Sequence, residues 1–470
     1  VKWSCRFFGG GRHLTAVARI IQWASLRLRN FFNSSSLAMI ESKPFGLVRG
    51  IGRWDLAALV VNGVVGAGIF GLPSRVFALT GTYSLIAFAL CGALIFFVVV
   101  CFAEVASRFD RTGGPYLYAR TAFGPLIGFE VGWLLCITRI AGLATICALL
   151  VQYLTFFSPA FATSTGRALT IAGLVIGVTL VQTVGVRETA VTSNLFTIVK
   201  LLPILLFVAV GLFHVEPGRL AFSAPFEPRE FGMGLLILGF AFVGFETPVI
   251  AAGESRSPRR DIPFALLIGM SLVVAVYLLI QVVCIGTLPG LAFSEKPLAD
   301  AARGFLGENG AHLIAFGAVV SMLGTLNAAM LAASRLPFAM AENGQLPSFI
   351  GRIHPRFRTP YVSILLTGGA ALPLTLTGAF SYVLTVTVLT RLAVYATTCA
   401  ALPKLRRMTE APPTRFAVRW GSAVSVAALV CLAGMILGSS FREARDSAIA
   451  AAIGVGVYYW CGKRRKKQNE

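Results

Sequence analysis

Apolar residues run in blocks of about 20 along nearly the whole chain, and short, arginine-rich polar stretches separate them. A helix that crosses roughly 30 Å of hydrocarbon needs about 20 apolar residues. This rule places about twelve spans, near residues 54–78, 83–107, 125–157, 167–184, 191–213, 231–253, 262–286, 311–340, 360–377, 380–402, 417–438 and 446–460. The stretch "PRFRTPY" at 355–361 is the clearest break between them. The pattern predicts an all-α polytopic membrane protein with no appended soluble domain.

Two of these runs are poor helices. The first holds "NGVVGAGIFGLPS" (62–74), with Gly63, Gly66, Gly68, Gly71 and Pro73. The sixth holds "GFAFVGFETPVIAAGE" (239–254), with Gly239, Gly244, Pro248 and Gly253 around Glu246. A helix-interior Gly costs about 1 kcal/mol and a Pro about 3. Backbone groups freed at membrane depth are tolerated only where they are buried in protein or line a watery cavity. Small residues also serve plain helix packing. Two matched breaks, one carrying an acid, favour instead an inverted-repeat transporter with a site near the bilayer midplane.

Composition sharpens the class. Of 470 residues, 56% are hydrophobic and only 13% charged, against about 25% charged in soluble domains; the mean hydropathy is +0.78. The net charge of +21 would point to nucleic acid in a soluble protein. Here the cations gather in alternate loops. Arg49, Arg53, Arg108, Arg111, Arg120, Arg256, Arg259, Arg260, Arg352, Arg406, Arg407 and the tail "KRRKK" fall on one side; Arg167, Arg219, Arg229, Lys296 and Arg303 fall on the other. The positive-inside rule makes the first side, with both termini, cytoplasmic and removes the case for nucleic acid. The nine cysteines form no CxxC pair and no His cluster accompanies them, so neither a metal site nor a disulfide framework is expected.

Residues 1–45 form a basic segment with six Lys or Arg before residue 30 and no acid among the first 40. It reads as an amphipathic helix on anionic lipid, as a signal peptide without a clean cleavage site, or as sequence upstream of a natural start at Met39. The last reading is preferred.

Ionisable residues inside spans are costly and usually functional. Lys200 lies midway along the fifth span, Glu246 beside the sixth-span break, Arg139 in the third and Arg391 in the tenth. Glu246 is read as a gating or pH-sensing group or as a hydrogen-bonded structural acid. Arg139 and Arg391 are read as partners of Glu246 or of a substrate carboxylate. Asn62, Thr325 and Asn327 complete a candidate polar pocket, with interhelical bonding as their ordinary role. Glu104, Glu130 and Glu254 sit near span ends and are read as interfacial.

Several stretches together carry a family resemblance. "GAGIF" (66–70), "SNLFTIVKLLPILLF" (193–207), "FAFVGFE" (240–246), "GESRSPRRDIPFAL" (253–266) and "SRLPFAMAENGQLPSFIGRIHPRFRTP" (334–360) occur in order. The set resembles the amino acid–polyamine–organocation (APC) superfamily of transporters over about residues 45–460. The resemblance implies a LeuT-like fold of two inverted five-helix repeats, about 50–215 and 228–404, with helices 1 and 6 broken. Two peripheral helices (about 415–460) and a basic tail (463–470) follow. It implies that backbone amides at Gly66, Ala67 and Gly68, with Ile69 beside them, hold a substrate carboxylate. It implies too that carbonyls near Phe240 and Ala241, beside Gly244, receive the ammonium, and that the Phe240 ring covers the substrate. Lys200 matches the lysine that replaces a sodium ion in proton-coupled members. Ala67 departs from the Ser or Thr common at that position.

The expected function is secondary active amino acid transport across the cytoplasmic membrane, proton-coupled and by alternating access. Its partners are a small amino acid or amine, protons and the bilayer. An amino acid/amine exchanger of the same fold is the alternative, and a non-transporting sensor is the alternative from another class. An enzyme is not expected. His occurs only at 13, 214, 312 and 354, and no cluster of nucleophile, base or metal ligands appears. No cofactor motif is present.

Overall fold

The computed structural model describes residues 47, 49–155, 157–184, 186–222, 225–376, 380–437 and 441–469. The basic segment 1–45 lies outside them, as do the side chains of the 463–470 tail. The described residues form fifteen α-helices and no β-strand. They are α1 (Arg53–Val64), α2 (Ala67–Thr80), α3 (Ser84–Ala106), α4 (Pro115–Phe123) and α5 (Pro125–Leu154). Then come α6 (Ser164–Val184), α7 (Val186–Gly211), α8 (Pro228–Ala241), α9 (Thr247–Ile250) and α10 (Pro258–Thr287). The last five are α11 (Pro297–Glu342), α12 (Tyr361–Leu376), α13 (Phe380–Arg407), α14 (Gly421–Leu437) and α15 (Phe441–Asn469).

Six described segments are long and apolar enough to cross a membrane, among them Pro125–Leu154, Pro258–Thr287 and Gly68–Ala106, which runs through α2 and α3. Tyr361–Leu376 and Gly421–Ile436 are shorter apolar helices. Interrupted segments such as α1 and α8 are too short to meet a length criterion by themselves. The outer surface agrees with lipid as solvent: Leu169 is 69% exposed on α6, Ile198 64% on α7 and Val430 67% on α14. Charge is withdrawn inward instead, with Lys200, Glu246 and Arg335 fully buried. The chain is a multi-pass membrane protein.

Both expected breaks are present, and both are narrower than the glycine count predicts. The helix is interrupted only at Val65 and Gly66, between α1 and α2. Gly71 and Pro73 lie inside α2. Pro73 is the seventh residue of α2, past the first turn, so it removes the bond that an amide there would donate to the Ile69 carbonyl. The second break covers Phe242–Glu246, and Pro248 opens the short α9. Within α11 the backbone leaves helical geometry at Gly307, so a short leading helix is kinked against the long one.

The packing sets the breaks side by side. α11 packs on α5 and α7, α10 on α1 and α3, and α13 on α5 and α14. An isolated parallel bridge joins Ile51 to Ser255. In it the Ile51 amide donates to the Glu254 carbonyl at 3.1 Å, and the Arg256 amide donates to the Ile51 carbonyl at 3.0 Å.

Two sequence expectations need correction. Glu254 and Glu104 are not interfacial. Glu254 accepts from Arg335 Nε at 2.7 Å with both side chains fully buried. Glu104 accepts two bonds of 2.7 Å from Arg406 and one of 2.9 Å from the Val418 amide. Both acids turn inward because a partner of opposite charge faces them from another helix, and position along a span does not report that.

Candidate functional site

The first break exposes the last carbonyls of α1 and the first amides of α2, as any helix end does. The carbonyls are taken up within the protein. Lys200 Nζ, from α7, donates to Val65 O at 2.8 Å, Val61 O at 3.3 Å and Asn62 O at 3.4 Å. Three ammonium donors thus meet three carbonyls, where a cation also suits the negative end of a helix. Ser321 and Thr325 of α11 donate to the same Val65 carbonyl at 3.0 and 3.2 Å. Tyr277 of α10 donates to Val64 O at 3.0 Å and approaches Ala241 O at 3.3 Å, so one hydroxyl spans the ends of α1 and α8.

The amides are different. α2 begins at Ala67 after Gly66, with no side-chain cap. Gly66 and Gly68 line a cavity of about 90 Å³ together with Gly63, Ala241, Gly244, Thr325, Arg139 and Arg391. A side chain at Gly66 would place its Cβ 2.9 Å from Thr325 Oγ1, so a glycine here lets α11 close on the break. The breaks touch backbone to backbone: a Cβ on Gly63 would lie 2.5 Å from the Gly244 carbonyl oxygen.

Glu246 stands behind the second break. Its Oε1 lies 2.7 Å from Arg139 of α5 and 3.6 Å from Arg391 of α13. Its Oε2 accepts from the Gly244 amide at 3.1 Å and from Tyr395 at 2.8 Å. Of the alternatives open for Arg139 and Arg391, proximity to Glu246 is what the geometry shows, while both also line the cavity.

Gly66, Gly68, Ala241, Gly244, Thr325, Arg139 and Arg391 are therefore brought together around one space. Lys200 reaches the same break from the α7 side. Asn327, Asn62 and Ile69 do not line the cavity. Asn327 sits two residues past Thr325, about 200° around the helix. It faces α6, where Gln182 Nε2 donates to its carbonyl and to its Oδ1 at 3.0 and 2.9 Å. Asn62 is fully buried, with its Oδ1 close to Gly324 of α11, and Ile69 packs in the hydrophobic core. The side chains of Ala67 and Phe240 lie outside the described residues, so the covering-ring expectation is not addressed.

Tyr277, Ser321 and Tyr395 were missed, although a signal for each exists. Ser321 precedes Thr325 by four residues and Tyr395 follows Arg391 by four. Residues at that spacing share a helix face, so each extends a polar stripe already noted. Tyr277 pairs likewise with Gln281, which donates to Ser84 at 2.9 Å.

Tyr277→Phe is expected to cost about 1–3 kcal/mol, because it removes the one hydroxyl proton shared between the buried carbonyls of Val64 and Ala241. A lowered unfolding temperature of the purified protein in detergent would show it. An unchanged temperature would mean that the carbonyls find other donors.

Residues 51–459 match the family described as amino acid permease. Similar curated proteins include three from Bacillus subtilis (strain 168). The methylthioribose transporter is 29% identical over 349 residues, covering 70% of this chain and 75% of that protein. The serine/threonine exchanger SteT is 30% identical over 328 residues, covering 68% and 74%. The branched-chain amino acid permease BcaP is 26% identical over 344 residues, covering 68% and 73%.

Proposed function

The chain belongs to the amino acid permease family of the APC superfamily, whose members are membrane transporters rather than enzymes, and from that premise we propose that it is a proton-coupled secondary amino acid transporter. Its fold in this proposal is the LeuT-like 5+5 inverted repeat with about twelve spans. α1 with α2 form the broken first helix, α8 with α9 the broken sixth, and residues 415–460 the peripheral helices. It sits in the cytoplasmic membrane with both termini inside.

Substrate enters the cavity between the breaks. Its carboxylate lies at the start of α2, on the amides from Gly66 to Gly68, where an anion meets unpartnered N–H groups and the positive helix end. Its ammonium faces the carbonyls at the end of α8, near Phe240 and Ala241. Glu246 and the Phe240 ring serve the gate. Lys200 carries the coupling proton: protonated, it ties the end of α1 to α7; neutral, it releases those carbonyls and lets α1 move.

The observation that carries this reading is one broken helix with two distinct sides. Lys200 holds the carbonyls of the break at 2.8–3.4 Å, and a cavity opens on Gly66 and Gly68 at the same break. Proton coupling and substrate binding would then act on one element. Uptake of radiolabelled amino acids into proteoliposomes tests it. Accumulation driven by an imposed pH gradient supports coupling. Uptake that requires amino acid inside the vesicles, and ignores the gradient, supports exchange, a second reading favoured by the similarity to a serine/threonine exchanger.

A further inference from the structure

The charges around the cavity do not balance. Arg139 and Arg391 both line it, and no acidic residue does so among the described residues. Glu246 lies behind them and is the carboxylate that faces both guanidiniums. It is held closely by Arg139, at 2.7 Å, and by hydrogen bonds from Gly244 and Tyr395. Arg391 is only 7% exposed. It approaches Glu246 no closer than 3.6 Å, and its Nε has no hydrogen-bond partner among the described residues. Among the described residues, two guanidiniums against one carboxylate leave one positive charge in excess. Lys200, across the break, adds no negative charge.

Arg391 thus shares the Glu246 carboxylate with Arg139 and takes the longer, weaker contact; a buried charge so poorly compensated is expensive, and a membrane interior makes it more so. A zwitterionic amino acid brings one carboxylate, which the α2 amides already suit, and one ammonium, which the arginines repel. A substrate with a second carboxylate removes both problems, since it pairs with Arg391 in the two-pronged manner that guanidinium favours. Size limits the choice further. About 90 Å³ is small against the roughly 300–1,000 Å³ of common ligand pockets, which favours a short side chain over an aromatic one. Resting on the transport reading above, we propose that the substrate is a small anionic amino acid of the aspartate or glutamate type, with its side-chain carboxylate read by Arg391.

The test uses the full chain in vesicles of phosphatidylethanolamine and phosphatidylglycerol, with radiolabelled aspartate and unlabelled competitors. Aspartate is expected to enter, with glutamate competing and serine, leucine and lysine not competing at tenfold higher concentration. Arg391→Gln should raise the half-saturating aspartate concentration at least tenfold, and Arg391→Lys should recover part of that loss. Uptake of serine or leucine without aspartate would overturn the anionic substrate and leave amino acid transport standing. Uptake of succinate without any amino acid would overturn both. An unchanged half-saturation in Arg391→Gln would remove Arg391 as the reader. Should that variant fail to give a monodisperse protein, the competition pattern of the unaltered chain still decides the substrate class.

Discussion

Lys200→Ala is expected to abolish amino acid accumulation driven by a pH gradient while sparing exchange of labelled for unlabelled substrate. The lysine is the charged group that joins α7 to the first break, through carbonyls of Val61, Asn62 and Val65. It is fully buried, and it does not line the cavity, so its loss should leave the substrate's own contacts in place. With no proton carrier at the break, the gradient-driven component should fall to the level seen without a gradient. Lys200→Arg gives a second measure. A guanidinium keeps the charge but does not release a proton in this range, so coupling should be lost although the cation remains. If gradient-driven uptake survives in a well-folded Lys200→Ala protein, the coupling role assigned to this residue is wrong.

Gly244→Ala should be strongly damaging for a single added methyl. Gly244 adopts φ +118, a region that residues with a Cβ occupy at a cost of about 1–3 kcal/mol. The new methyl would also run into the carbonyl of Gly63. Backbone cannot rotate aside as a side chain can, so overpacking of about 1–3 kcal/mol adds to the strain. The sum is about 2–6 kcal/mol, enough to lower the unfolding temperature markedly and to empty the cavity between the breaks. Gly71→Ala is the matched control. Its Cβ would meet nothing within 4 Å, and it sits inside α2. Alanine there should be neutral or add up to about 1 kcal/mol through helix propensity. Equal unfolding temperatures for the two variants would show that the contact between the breaks is not a tight one.

That contrast also marks what the chain makes legible. Glycines in an apolar run announce a break, but they do not say which of them makes it. Gly66 does, while Gly71 is helical, because a break depends on which donors arrive from other helices. Arg139, Lys200, Glu246 and Arg391 were recognisable one by one, since a charge in an apolar run needs a reason. Their sorting into Lys200 on the carbonyl side and the arginines on the cavity side was not, because helix rotation is set by packing. Asn327 shows the same: about 200° of helix separates it from Thr325, and its bonds with Gln182 are the interhelical role expected of it as the ordinary one. Arg335 lay inside a quoted motif, yet its pairing with Glu254 joins residues 81 positions apart, and nothing local signals that.

The bridge between Ile51 and Ser255 has a mechanical consequence. α1 is fastened to the segment around the second break at two places, by this bridge and by the contact of Gly63 with Gly244. At 1.5 Å per residue these points stand roughly 18 Å apart. Two anchored points define an axis: the two members can turn about it together, but neither can slide along the other. A shift of the segment around the second break is therefore passed to both ends of α1 at once, as torque is carried along a shaft pinned at both bearings.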